Sequence, residues 1–317
     1  MKIIIKITAA LVAALPIFLK AGGAVAQSGY PDRAVRMVVG YPPAGPVDII
    51  ARVMSDKLTE TWSQPVVVEN ISGAGGNGYT LLVATNAQLA VNPSLYGKMT
   101  YDPAKDLMPI SQAVYSPNIL VVPNDVPVKN VQELVTYARS HTGEKLTFAS
   151  AGVGTTQHLA GELFKAMAHI DIQHVPYRGA APVITDLLGG RLTMYFGAIS
   201  PLIPLVREGK VRALAVTSAK RFGASPDLPT MIEAGFPGFV SILSIGLMAP
   251  AGTSPAIIEK IHQDTVKVLA MPDVRKKLSD IGMEVIGNSP AEFAAAINTE
   301  TPQWEKVIKD AAIKASN

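Results

Sequence analysis

Val35-Arg36-Met37-Val38-Val39-Gly40-Tyr41-Pro42-Pro43-Ala44-Gly45-Pro46-Val47-Asp48 is a strand, a turn and a helix start in one run. The apolar residues 35–41 read as a buried strand. Residues 47–61 then follow a helical period, with Ile50, Val53, Met54 and Leu58 on one face. Pro46 suits the first helical position, where a missing N–H costs the helix nothing, and Asp48 lies in the first turn, where the helix dipole favours an acid.

The same grammar recurs in the second half of the chain. Ala149-Ser150-Ala151-Gly152-Val153-Gly154-Thr155-Thr156-Gln157-His158 follows the strand 146–150 and enters a helix, 156–168, whose apolar face is Leu159, Leu163 and Met167. Small residues and hydroxyls there leave free N–H groups at a positive helix end, which holds a carboxylate or phosphate without a cationic side chain. Strands at 65–70, 79–85 and 119–123 alternate with helices at 131–140, 181–188, 201–208, 255–269, 272–281 and 290–312, and Thr265 is read as exposed. The alternation predicts an α/β fold of parallel sheets covered on both faces, with ligands bound at the carboxyl ends of the strands. One such junction alone is an ordinary capped turn. One in each half predicts a cleft closed from two sides.

At 317 residues with 48 % hydrophobic and 17 % charged side chains, the chain has material for two domains of roughly 150 residues each. There are 28 Lys+Arg and 25 Asp+Glu, but Lys2, Lys6 and Lys20 stand in a segment without acids. Residues 1–26 have a positive start, an apolar stretch broken by Pro16, and Ala24-Val25-Ala26, the pattern of a signal peptide cleaved after Ala26. Its removal leaves 25 basic against 25 acidic residues, so net charge gives no reason to expect nucleic acid or anionic lipid as a partner. The absence of Cys removes disulfides, thiolate metal sites and cysteine nucleophiles. The expected product is a soluble exported protein.

Gly73-Ala74-Gly75-Gly76-Asn77-Gly78 has the spacing of a dinucleotide loop, but a strand rather than a helix follows it. Ser150 lacks a Gly-x-Ser-x-Gly elbow. His141, His158, His169, His174 and His262 form no metal-ligand pair, so neither metal nor cofactor is expected. His158 has two open readings, a donor to a ligand or a fastener of its own loop. Arg178, in His174-Val175-Pro176-Tyr177-Arg178-Gly179, is either a cleft cation or a surface charge. A hydrolase using His158 or His174 as base lacks a coherent nucleophile motif.

Across the mature chain the sequence resembles the substrate-binding proteins of tripartite tricarboxylate transporters, the Bordetella-uptake-type periplasmic receptors. The resemblance rests on Pro42-Pro43 through Asp48-Ile49, Gln64-Pro65-Val66-Val67-Val68-Glu69-Asn70, Gly78-Tyr79-Thr80-Leu81-Leu82, Asn92-Pro93-Ser94-Leu95-Tyr96, His158-Leu159-Ala160-Gly161-Glu162, His174-Val175-Pro176-Tyr177 and Asp186-Leu187-Leu188-Gly189-Gly190. It implies a non-enzymatic, monomeric receptor of two α/β lobes, 28–116 plus 244–317 and 117–243, closing on a small organic acid. It also implies delivery to a two-component membrane permease, or to a sensor kinase domain. Carried over, the first binding loop is Tyr41, Pro43, Ala44, Gly45 and Asp48, and the second is Ser150, Gly152, Gly154, Thr155, Thr156 and His158. Thr85, Asn86 and Tyr177 are candidates for the cleft wall.

Three departures from the family pattern bear on the ligand. Pro46 and Val47 stand where the family has a glycine and a hydroxyl residue, and no acid or amide follows the strand ending Phe196-Gly197-Ala198-Ile199. Both make the cleft less polar and predict a ligand with an apolar or aromatic body. The family helix between Gly-Gly and Gly-Tyr-Thr is missing, since only Asn77 separates Gly76 from Gly78. A parallel crossover needs about a dozen residues or more. Either the first lobe is rearranged or this copy is degenerate.

Overall fold

A computed structural model describes residues 29–41, 43–71, 79–141 and 145–314. The expected leader, Pro42 and the glycine run 73–78 lie outside the described residues. In chain order come β1 (Val35–Val39), α1 (Pro46–Trp62), β2 (Val66–Asn70) and β3 (Thr80–Thr85). A π-helical turn (Ala87–Val91) continues into α2 (Asn92–Leu95), α3 (Pro103–Asp106) and the long β4 (Leu107–Pro123). Then follow α4 (Val131–Ser140), β5 (Thr147–Ser150), α5 (Thr156–Ala168), β6 (Gln173–Pro176), α6 (Ala180–Leu188), β7 (Met194–Ala198), α7 (Ile199–Arg207) and β8 (Val211–Val216). The chain ends with β9 (Ile242–Pro250), α8 (Pro255–Ala270), α9 (Pro272–Asp280), β10 (Glu284–Val285) and α10 (Pro290–Asp310).

The strands are ordered β2-β1-β3-β9-β4-β7-β5-β6, and β8 and β10 also pair with β4. β1 is parallel to β2 and β3, and β5 is parallel to β6 and β7. The expectation of purely parallel sheets is corrected by β4, whose neighbours β7, β8, β9 and β10 are all antiparallel to it. The reason is its course. Up to Pro117 it pairs with β9, and from Asn118 onward it pairs with β7 and β8, so one strand runs out of the first sheet into the second. β9 starts where that partner change occurs and returns beside β4 in the opposite direction.

β2 and β3 lie on either side of β1, both parallel to it.

Packing follows the two sheets. Met37, Ile50, Met54 and Leu58 join Ile257 and Ile261 in one core, and Leu120, Phe148, Phe164 and Phe196 join in another. On β4, Ile119 and Val121 enter a third cluster with Leu187 and Tyr195 while Leu120 and Val122 face the second. That period of two, apolar on both faces, is what a strand covered on both sides requires. α10 spans both parts. Phe293 packs with Ala84 and Met248 near its start, whereas Trp304, Val307 and Ile308 join the cluster of Phe164. Thr265 is fully buried with its hydroxyl unpaired, which corrects its reading as exposed. Among the described residues no helix is long and apolar enough to cross a membrane.

Candidate functional site

The first loop leaves the end of β1 between its two parallel neighbours and enters α1. Gly45 is the N-cap, in extended conformation and with no side-chain cap, and Pro46 takes the first turn as the sequence predicts. Ala44 has φ 65, the left-handed region that glycine usually occupies. What holds it is Asp48, only 2 % exposed. Its Oδ2 accepts the Ala44 N–H at 2.9 Å and Arg52 Nε at 2.9 Å, and its Oδ1 accepts Arg52 and the Asn70 amide at 3.0 and 2.9 Å. The Arg52 bonds above all lower the Asp48 carboxyl to about 2. With four donors on two oxygens the carboxylate is full, so Asp48 braces the loop. The second Asn70 amide bond runs to the carbonyl of Tyr41 at 3.0 Å. Pro43 is exposed, and the N–H groups of Val47 and Asp48 make no hydrogen bond with the described residues.

The second loop leaves β5 and enters α5, with Thr155 as N-cap accepting from the His158 N–H at 3.4 Å. Gly152 and Gly154 have φ 151 and 77, conformations that disfavour other side chains. Thr155 Oγ1 donates to the Gly152 carbonyl at 2.7 Å, and Gly154 N–H donates to His158 Nδ1 at 3.1 Å. Through Nδ1, His158 thus fastens its own loop. Burial lowers it to about 4, so it is neutral near pH 7. Ser150 is fully buried, and its hydroxyl is engaged with the Gly152 peptide and with His174. Tyr177 caps the other side of the strand end, its N–H on the Ser150 carbonyl and its hydroxyl donating to Asp186 at 2.6 Å. The hydroxyl of Thr156 and the N–H groups of Thr156 and Gln157 make no hydrogen bond with the described residues.

A hydrogen-bonded floor joins the two loops. The Tyr41 hydroxyl meets Thr85 Oγ1 at 2.8 Å at the end of β3. Next to it Asn86 donates to the carbonyl of Ile242 and to Glu300, both at 2.9 Å, and accepts the Ser244 N–H at 3.2 Å. Ser241, adjacent to Ile242, donates to the Thr156 carbonyl at 3.1 Å. Asn86 is therefore occupied as a brace at the floor, and burial raises its partner Glu300. From above, α2 closes on the second loop: a Cβ on Gly154 would lie 2.6 Å from Leu95 Cδ2.

Sequence reasoning missed Arg52, Asn70, His174, Ser241 and Leu95 as parts of this machinery. Arg52 was legible as the i+4 partner of Asp48. The others depend on strand register or on contacts between distant segments. Arg178 is exposed and unpaired among the described residues. No group of three His, Asp or Glu among them is arranged to hold a metal. The arrangement offers an anion two helix ends whose first N–H groups, and the Thr156 hydroxyl, are unpaired among the described residues.

The receptor profile of the tripartite tricarboxylate transporter family matches residues 50–313. Protein BugT of Bordetella pertussis is 32 % identical over 320 residues, covering 96 % of this chain and 98 % of BugT. Among solved structures, R. palustris Rpa4515 with adipate is 35 % identical with a TM-score of 0.72, covering 90 % of this chain and 99 % of Rpa4515. MatC from Rhodopseudomonas palustris with bound malate is 31 % identical with a TM-score of 0.69, covering 88 % and 100 %.

Proposed function

The chain belongs to the tripartite tricarboxylate transporter receptor family, and from that membership we propose that it is a periplasmic receptor whose α1 and α5 ends take a small organic acid. The observation that carries this reading is the pair of helix ends, each with two N–H groups unpaired among the described residues, joined by one hydrogen-bonded floor. Two dipole ends attract an anion without any side-chain cation, and each contributes about 0.3–1 kcal/mol, more when buried. The solved relatives with adipate and malate support a carboxylate as the ligand class. Pro46, which lacks an N–H, and the apolar Leu95 favour an aliphatic or aromatic body over a hydroxylated one.

In this reading the lobes are 28–116 plus 244–317 and 117–243; the change of β4 partners after Pro117 supports the first boundary. Residues 1–26 are removed after Ala26, and the mature chain works as a monomer. A ligand touching both ends shifts the equilibrium toward the closed form by its extra affinity for that form. The closed form is then read by a two-component permease, with a sensor domain as the alternative recipient. A thermal-shift panel of adipate, malate and aromatic acids on the mature protein tests the reading. Stabilisation by at least one carboxylate is expected, and a flat panel on folded protein refutes it.

One observation favours a second reading. Ser150 Oγ and His174 Nε2 are 2.7 Å apart, the spacing of a hydroxyl nucleophile and its base. Against it stand the complete burial of Ser150 and the lack of any described acid bonded to His174. Turnover of a bound ester or amide would favour this reading, and intact ligand after prolonged incubation would not.

A further inference from the structure

β5 and β6 are parallel, with Phe148 opposite His174 and Ser150 opposite Pro176. Side chains two apart on a strand share a face, so this register sets the His174 ring on the face that Phe148 and Ser150 present. The ring lies against Phe148, centroids 4.9 Å apart, and stacks on His158 at 3.8 Å and 18°. Held by these two neighbours, it keeps Nε2 2.7 Å from Ser150 Oγ.

Ser150 carries that constraint to the loop. Its hydroxyl accepts the Gly152 N–H at 3.2 Å and lies 3.0 Å from the Gly152 carbonyl. The same carbonyl receives Thr155 Oγ1 at 2.7 Å, and Thr155 is the N-cap of α5. A line of contacts therefore runs from an imidazole on that face of the sheet, through one hydroxyl and one peptide, to the helix end whose first N–H groups are unpaired among the described residues. His174 itself has no place among those donors.

We infer that His174 is a positioning residue for ligand binding, acting through Ser150 to fix the Gly152 peptide and the first turn of α5. The inference rests on the proposed receptor function only for its consequence on affinity, because its structural half is visible without ligand.

The test is a double-mutant cycle on the mature protein with His174→Phe, which keeps an aromatic stack and loses the hydrogen bond, and Ser150→Ala. Two quantities are read: the exchange rate of the Gly152 amide in ligand-free protein and the affinity for adipate. Each single variant is expected to speed Gly152 exchange about tenfold, in line with one lost hydrogen bond. The double variant is expected to match Ser150→Ala alone, and His174→Gln, which restores a polar group near Ser150, to recover most of the protection. Adipate affinity should follow the same pattern, falling about tenfold in each single variant. Unchanged Gly152 exchange in His174→Phe, or additive effects in the double variant, would overturn the inference. If the wild type ignores adipate, the exchange data still decide this inference, and the loss falls on the choice of ligand. If His174→Phe does not fold, His174→Leu takes its place, with the same faster Gly152 exchange expected and unchanged exchange overturning the inference.

Discussion

The Ser241 hydroxyl donates to the main-chain carbonyl of Thr156 at 3.1 Å, so the segment returning from the second sheet is tied to the first residue of α5. Ser241 also holds the crossing itself together, since its carbonyl accepts the Thr217 hydroxyl at 2.6 Å and the Asn118 amide at 3.3 Å. One hydroxyl and one carbonyl of Ser241 therefore tie the floor to the second loop.

Replacing Ser241 by Ala removes the bond to Thr156 while leaving the carbonyl bonds in place. The expected cost is about 1 kcal/mol, a fall in Tm of roughly 2 °C for a chain of this size. Carboxylate affinity should fall several-fold as well. Calorimetry and titration of the same preparation check both, and an unchanged affinity would separate floor from loop.

Thr155 and Thr156 should separate by phenotype although they are neighbours. Thr155→Val loses the N-cap and should cost about 1 kcal/mol of stability. Thr156→Val should leave stability nearly unchanged and weaken carboxylate binding about tenfold, because its hydroxyl has no partner among the described residues. Exposed Thr136→Val is the control. Equal binding losses at positions 136 and 156 would remove Thr156 from the site.

Asp48 sits at about 2 in the fold against an ordinary 3.8, chiefly through Arg52. A lowered carboxyl stabilises the fold above its unfolded value and loses that contribution as pH falls through the folded value. Between about pH 4 and 2 the wild type should therefore lose more stability than Asp48→Asn. Denaturant titrations across that window check it.

The buried imidazoles act in a higher window. His158 is lowered to about 4 and His174 to about 3, both first by burial, from an ordinary 6.5. The unfolded chain takes up protons before the folded one, so their stabilising effect is complete above pH 6.5 and declines as pH falls toward the folded values. His158→Gln should flatten the upper part of that decline. A wild-type stability profile level from pH 7 to 4 would contradict the neutral, buried pair.

Local signals made much of the fold legible. α4 and α5 occupy the predicted residues because Asn130 and Thr155 mark their starts with side-chain caps. Pro46 and Asp48 likewise announced α1. The first half of β4 was not legible, because buried Ser111 and Gln112 interrupt its apolar pattern. Their partner is Asn288, which accepts the Gln112 N–H through Oδ1 and the Ser111 hydroxyl through its carbonyl. Thr265 misled for the opposite reason, a hydroxyl buried without a partner. At the site, glycine and hydroxyl content revealed both loops. What each residue does there was hidden, because Asn70, His174 and Ser241 reach the loops only through strand pairing and the crossing.

The most direct test of the account is a crystal structure of the mature protein grown with the carboxylate that stabilises it most. The account predicts carboxylate oxygens within hydrogen-bond distance of the Thr156 and Gln157 N–H groups on one side and of the Val47 and Asp48 N–H groups on the other, bridged by water where the gap is wide. A carboxylate bound away from both helix ends, or held mainly by a side-chain cation such as Arg178, would contradict it.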